Sequence, residues 1–482
     1  MQDPVPAASK VPRRTDLGHI ENRTWDEIRV GDTAGLTRVL RQRDIELFAA
    51  MSGDVNPSHM DPAFAEAGVN REVTGPGMWG AALISAVLDM QLPGPGTIHL
   101  SQTLVFDHPV GLGGEVTVKV TVAEKRADRH VLLDCLCLTD DGKVAISGQA
   151  LVIAPAVKLR RPRVLPPEVH LHERGARHMQ LVAAARSFDP VRMAVVHPCD
   201  ALSLSGAMAA RDAGLIQPVL VGPAARIRAT AAAAGLSIEG LRIVATEHSH
   251  AAAKAAVALA RAGEVAALMK GALHTDEIMA EVVDAATGLR TERRISHVFA
   301  LDVPYYPKPL FITDAAINIE PDLMAKRDII QNAIDLCHAL GILQPRVAIL
   351  SAVETVTPAI RSSVEAGALC KMADRGQITG GLVDGPLAFD NAVSEAAAGT
   401  KGIVSDVAGK ADILLAPDMV SGNMIAKQLI HLAGADSAGI ALGARVPIVL
   451  TSRSDDIQSR VASSALACMV VAHALAKARR TE

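Results

Sequence analysis

Aromatic residues are nearly missing from this chain of 482 residues, at 2% of the total. Its cores must therefore be built from Ala, Val, Leu and Ile. Excess charge is missing too. The formal net charge is −4, which gives no ground for nucleic-acid or membrane partners, so any basic patch must be local and aimed at a small anion. No C-x-x-C pair occurs among Cys135, Cys137, Cys199, Cys337, Cys370 and Cys468. They read as small buried hydrophobes in a reducing cytosol. The opening MQDPVPAASKVPRR has no apolar core of a secretory signal. No uncharged apolar run approaches the roughly 20 residues of a membrane span. Together these absences predict a cytoplasmic globular chain.

The length exceeds one ordinary core, so two or three domains are expected. Residues 1–16 read as a flexible arm and 17–154 as a first globular unit. APAVKLRRPRVLPPEVHL, at 154–171, is rich in Pro and Arg and cannot continue a helix or a central strand. It places a linker over 155–174, ahead of a second unit at 175–482. In the first unit GMWGAALISAVLDMQL predicts one buried helix whose small residues let a sheet approach. Strands follow: TIHLSQTLVF, EVTVKVTVAEKR and HVLLDCLCL-TDDGK-VAISGQALVI, with DDGK as a hairpin turn. Val116, Val118, Val120 and Val122 alternate onto one strand face. One helix followed by an antiparallel meander suggests a sheet wrapped around that helix. The second unit alternates short apolar runs with Ala-rich helices: VRMAVVHP, QPVLVG, LRIVAT, VAALMKG, HVFALDV, PLFITDAAI, RVAILSAV, ADILLAP and VPIVLTS. That is the pattern of α/β layers on a largely parallel sheet, in two subdomains with a cleft.

Gly75 to Gly80, GPGMWG, satisfies the dinucleotide spacing G-x-G-x-x-G. The preceding EAGVNREVTG is no buried strand, no acidic residue follows at about 20 positions, and no βαβ unit follows. Upstream, LFAAMSGDVNPSHMDPAFA sets Asp54, Asn56 and His59 in a loop marked by Gly53 and Pro57. Such residues commonly form a solvated turn. A carboxylate and an imidazole at this spacing also suit acid–base chemistry on one water. The string resembles the signature of MaoC-like (R)-specific enoyl-CoA hydratases, F-A-x-x-S-x-D-x-N-P-x-H-x-D-x-x-F-A, and the likeness runs on to about Ile153. The resemblance implies a hot-dog fold, an antiparallel sheet around a central helix beginning at Gly77. The Gly77 N–H would polarise the thioester carbonyl. Asp54 and His59 would hold the water that adds at C3. Asn56 would orient the loop, and Ser85 matches a position near the site. Pro76 departs from the family, which has His there, so hydration need not be retained.

The second unit carries VPIVLTSRSDDIQSR at 446–460, a strand running into a polar loop. Ser452, Arg453, Asp455 and Asp456 cluster at its C-terminal end, where open α/β sheets place ligands. Each reads alternatively as a solvated cap. KGALHTDEIM, RRISHVFAL, FITDAAINIEPDL, VAILSAVET, DGPLAFDNAVS and ADILLAPDMVSGNMIAKQL precede it in order. Together they resemble the phosphate acetyl/butyryltransferase family. The resemblance implies acyl-CoA + phosphate ⇌ acyl phosphate + CoA, with Ser452 and Arg453 steadying the oxyanion or thiolate. Either Asp455 or Asp456 is the base, Asp456 being preferred. Lys270, Arg294 and Asn423 are weaker candidates for phosphate or CoA contacts. The substrates would be acyl-CoA, CoA and phosphate, with no separate cofactor or metal, and both families imply a homo-oligomer. Two other readings are an active transferase with a hot-dog acyl-CoA-binding or oligomerisation module, and a regulatory acyl-CoA sensor. The intact TSRSDD argues against the sensor.

Overall fold

The computed structural model describes residues 18–67, 72–164, 169, 175–452 and 455–481. They form two compact units, 1–171 and 172–482.

The first unit holds β1 (His19–Glu21), β2 (Thr33–Val39), β3 (Ile98–Phe106), β4 (Glu115–Lys125), β5 (His130–Thr139), β6 (Val144–Ile153) and β7 (Arg160–Pro162). Five of them make an antiparallel sheet in the order β2-β4-β5-β6-β3. Alternation explains its inner face. Val116, Val118, Val120 and Val122 are buried, with Cys135 and Cys137 beside them on β5. The helix Gly77–Met90 packs Trp79, Leu83, Ile84, Val87 and Leu88 into this face. Gly80 allows the approach, because a Cβ there would lie 2.5 Å from Ile146 Cδ1. The hot-dog architecture expected from the sequence is the one observed. β3 is an edge strand that exposes Ile98, Leu100, Val105 and Phe106. The linker expectation needs correction at its start. β7 pairs with β1, and Asn22 bonds Leu159 through its backbone N–H and its side-chain oxygen. Pro-containing strands are tolerated in such edge pairs.

The second unit holds β8 (Val191–Val196), β9 (Ile216–Gly222), β10 (Ile243–Ala245), β11 (Ala267–Lys270), β12 (Ser296–Asp302), β13 (Leu310–Thr313), β14 (Arg346–Leu350), β15 (Leu382–Leu387), β16 (Ile413–Leu415), β17 (Asp436–Leu442) and β18 (Ile448–Val449). They form one eleven-stranded sheet, β10-β9-β8-β11-β18-β17-β12-β13-β16-β14-β15. A parallel half ends at β18 and another begins at β13. Antiparallel β17 and β12 join them. One helix touching the sheet is built largely from alanine: Ser249–Arg261 buries Ala252, Ala253, Ala256 and Ala260. The helix Ile457–Thr481 has the length and apolarity of a membrane span over 457–479. It buries Ala462, Ala465, Leu466 and Ala467 in the main core and carries a buried Arg460.

Both tryptophans, Trp25 and Trp79, belong to the first unit, so indole fluorescence reports that unit alone. A Cβ at Gly148 would stand 1.9 Å from the Thr103 carbonyl oxygen across the β3–β6 ladder. Gly148→Ala is expected to destabilise the unit by about 1–3 kcal/mol, read as an earlier urea midpoint of tryptophan emission.

Candidate functional site

In the first unit a cavity of about 350 Å³ lies at the N-terminus of the helix Gly77–Met90, lined by His59, Thr74, Gly77, Trp79, Asp107 and His108, among others. Gly77 lets the Phe106 ring come close, since a Cβ would meet that ring at 3.0 Å. His59 sits on the short helix Pro57–Met60, which Asn56 caps by accepting the Ser58 N–H. Its Nδ1 lies 2.6 Å from the Thr74 carbonyl oxygen. A carbonyl only accepts, so Nδ1 carries the hydrogen and Nε2 is left as a base in the neutral ring. Asp54, in the loop before that helix, accepts the Asn56 N–H at 3.2 Å and is not among the lining residues. Ser85 is not brought to this cavity. It lies about two turns along the helix, roughly 12 Å from Gly77, and its hydroxyl donates to Asp89.

In the second unit the chain leaving β18 enters the loop that carries Ser452. Arg453 lies outside the described residues. Lys270, buried at the end of β11, directs Nζ to the Thr451 carbonyl at 3.4 Å. Asp455 Oδ2 accepts the Ser452 N–H at 2.7 Å. Asp456 accepts the Ser459 N–H at 2.8 Å in the first turn of the helix Ile457–Thr481, and lines a cavity of about 600 Å³ with Leu202, Ile457 and Gln458. Arg460 reaches back from one turn further on. Its Nη1 donates to Thr451 Oγ1 at 2.7 Å and its Nη2 to the Ser452 carbonyl at 3.1 Å. Burial pushes the Asp455 carboxyl above its ordinary range, against the Ser452 N–H and the charges of Arg460 and Lys270, while Asp456 adds to the rise. Burial likewise lowers the Arg460 guanidinium, against Asp455, Asp200 and Asp456.

Arg294 and Asn423 do not join this cluster. Ser296 pairs with Leu442 at the start of β12, and Asp302 with Asp436 at its end. Ile440 pairs with Val449, so the chain leaving β18 heads for the Asp302 end. Arg294 precedes β12, roughly 20 Å away along the strand direction. Its Nε donates to Asn318 Oδ1 at 2.8 Å, and Asn423 Nδ2 donates to the Ala315 carbonyl at 3.0 Å. Both residues thus brace the segment 314–318.

The second unit aligns with the phosphate acetyltransferase of Rhizobium meliloti at 60% identity over 297 residues, covering 62% of this chain and 94% of that protein. The chain belongs to the phosphate acetyl/butyryltransferase family. The family model described as Phosphate acetyl/butaryl transferase matches residues 249–468, and the MaoC like domain model matches 23–132. The transferase unit is also 38% identical to the phosphate butyryltransferase of Clostridium acetobutylicum, over 60% of this chain and 97% of that protein. Among solved structures, a branched-chain phosphotransacylase from Enterococcus faecalis superposes with a TM-score of 0.52 at 28% identity, covering 58% of this chain and 99% of that one. The resemblances named from sequence are therefore both found, fused in one chain.

Some groups at these two sites carry weak sequence signals. Arg460 follows Asp456 at the spacing of one helical turn, and that spacing is the signal that marks it. In the MaoC-like unit Thr74, Asp107 and His108 reach the cavity through folding at a distance, with no local pattern.

The transferase unit's Asp455 yields a pH test. Its raised pKa means the folded chain keeps this proton at a pH where the unfolded chain has lost it. The stability gained from protonation is full below the unfolded pKa and is lost as pH rises through the folded one. Asp455→Asn is expected to stabilise the unit more at pH 7.5 than at pH 4.5, measured as the difference in calorimetric Tm from wild type.

Proposed function

We propose that this chain is a bifunctional acyl-CoA enzyme, with a phosphate acyltransferase in the second unit and an enoyl-CoA hydratase in the first. The transferase reading rests on the near full-length identity to phosphate acetyltransferase, together with the cluster of Lys270, Ser452, Asp455 and Asp456 at one sheet edge. In the direction of acyl-CoA synthesis a base takes the CoA thiol proton. A thiol near 8.5 and an aspartate near 3.9 differ by about 4.6 pH units, so the carboxylate must act with a cation that steadies the thiolate. Asp456 lines the cavity and is the base we favour. Asp455, bonded to the Ser452 N–H, holds the loop. Arg453, between them in sequence, supplies the fork for the tetrahedral oxyanion, and Ser452 adds a hydrogen bond. Lys270 provides fixed positive charge for phosphate.

In the first unit His59 Nε2 takes the proton of a water, assisted by Asp54, as the water adds to C3 of the enoyl thioester, and a proton is returned to C2 to complete the 3-hydroxyacyl product. The first-turn N–H of Gly77 stabilises the developing enolate oxygen. The exposed apolar edge of β3 supports pairing with a second copy of the chain. A second reading, in which the first unit only binds acyl-CoA, is favoured by Asp54 lying outside the cavity lining.

Two assays separate these readings. With acetyl-CoA or butyryl-CoA and phosphate, wild type is expected to release free thiol. Arg453→Ala and Asp456→Asn are each expected to slow release about 10²–10³-fold, and release unchanged by both removes this assignment. With crotonyl-CoA, enoyl absorbance is expected to fall, about 10²–10⁴-fold more slowly in His59→Ala. No loss of absorbance in wild type, with butyryl-CoA still bound by the first unit, establishes the binding-module reading.

A further inference from the structure

His197 follows β8 at the C-terminal edge of the sheet and is the non-glycine residue of the second unit recorded at positive φ, +53°. That region is uncommon for a residue with a side chain, although Asn, Asp and His enter it more often than others. The surrounding structure over-determines it. Its N–H donates to the Val221 carbonyl at 2.7 Å, and its own carbonyl accepts from Cys199 and Ala272. Gly222 and Gly271 flank it closely. A Cβ on Gly222 would lie 3.3 Å from His197 Cα, and one on Gly271 would lie 2.8 Å from the His197 carbonyl oxygen. A buried imidazole held this firmly in an uncommon backbone conformation is the kind of feature that persists at a ligand site.

Its neighbours supply the site. β8, β11 and β18 are adjacent and parallel, with Val196 in register with Lys270. His197, Lys270 and Thr451 therefore leave neighbouring strands at the same edge. The helix after His197, Ala201–Asp212, is capped by Asp200 and contributes Leu202 to the cavity that Asp456 lines. The charged and titratable groups around this edge are the acids Asp200, Asp455 and Asp456, the thiol Cys199, and the cations Arg226, Lys270 and Arg460. His197 Nδ1 lies 3.0 Å from the Ala272 carbonyl oxygen. Nδ1 therefore holds the hydrogen, and Nε2 of the neutral ring is an acceptor. An acceptor at the same sheet edge as a lysine suits an anion that still carries a proton. Monoprotonated phosphate has one P–OH, whereas an acyl phosphate or a fully ionised sulfate offers none.

We propose that His197 is a phosphate-binding residue of the transferase site, its Nε2 accepting the P–OH of monoprotonated phosphate at the edge shared with Lys270 and Thr451. The proposal rests on the transferase reading and adds a substrate contact to it. The variants His197→Asn and His197→Gly suit the left-handed backbone but remove part of a buried ring, so a native far-UV spectrum and a cooperative thermal transition above the assay temperature verify that each is folded. In phosphate-dependent thiol release, His197→Gly is expected to raise KM for phosphate at least about tenfold. KM for acyl-CoA and the inhibition constant of sulfate, competing against phosphate, are expected to stay within twofold. His197→Asn, with a shorter reach, is expected to fall between. If wild type releases thiol but KM for phosphate in His197→Gly moves less than twofold, His197 has no such role. The same holds if sulfate inhibition weakens in step with phosphate. If wild type releases no thiol with phosphate, the transferase reading falls and this proposal with it.

Discussion

One buried guanidinium organises the loop on which the second site is built. Arg460 bonds the Thr451 hydroxyl and the Ser452 carbonyl, fixing the chain as it leaves β18. Burial works against a charge in that position, and Asp455, Asp200 and Asp456 work to keep it. Gly206 gives it room, since a Cβ there would stand 2.5 Å from Arg460 Cδ. The anchor fixes the Ser452 carbonyl, next to the half-buried Asp455 that takes the Ser452 N–H. The first unit uses a lighter version of the same principle. The Thr74 carbonyl fixes the His59 ring and, with it, which nitrogen is basic.

The two sites meet a common chemical problem by different means. On the proposed reading both would act on a thioester carbonyl, where negative charge must be received on oxygen or sulfur. The first unit offers the N-terminus of a buried helix, a neutral donor that needs no counter-ion. The second offers cations set at the ends of parallel strands. This division fits a chain with little net charge, because positive charge is needed at one edge only.

Much of this was legible in the residues. The alternating valines of β4, the helix at Gly77 and the strands ending at Lys270 and Ser452 each carry a local period or a turn signal. β17 does not. Its sequence DSAGIAL has a single β-branched residue, Ile440, and Gly439 leaves room for the Leu450 carbonyl oxygen, which lies 2.7 Å from where a Cβ would be. Close packing there erased the very pattern that would reveal a strand. β7 was hidden by Pro162, which suits an edge pair as readily as a linker. The placements of Arg294 and Ser85 turned on strand direction and helix length, which no short motif encodes. The same is true of the separation of Asn423 from Lys270.

The scarcity of aromatic rings leaves its mark on how this fold tolerates change. Where alanine faces a sheet, as at Ala252, Ala256 and Ala260, there is little side chain to lose and no slack to fill. Trimming mutations find few large groups to remove, while each added methyl group must push a whole helix off its sheet. Sequence drift in such a protein is therefore bounded from above, by bulk, more tightly than from below.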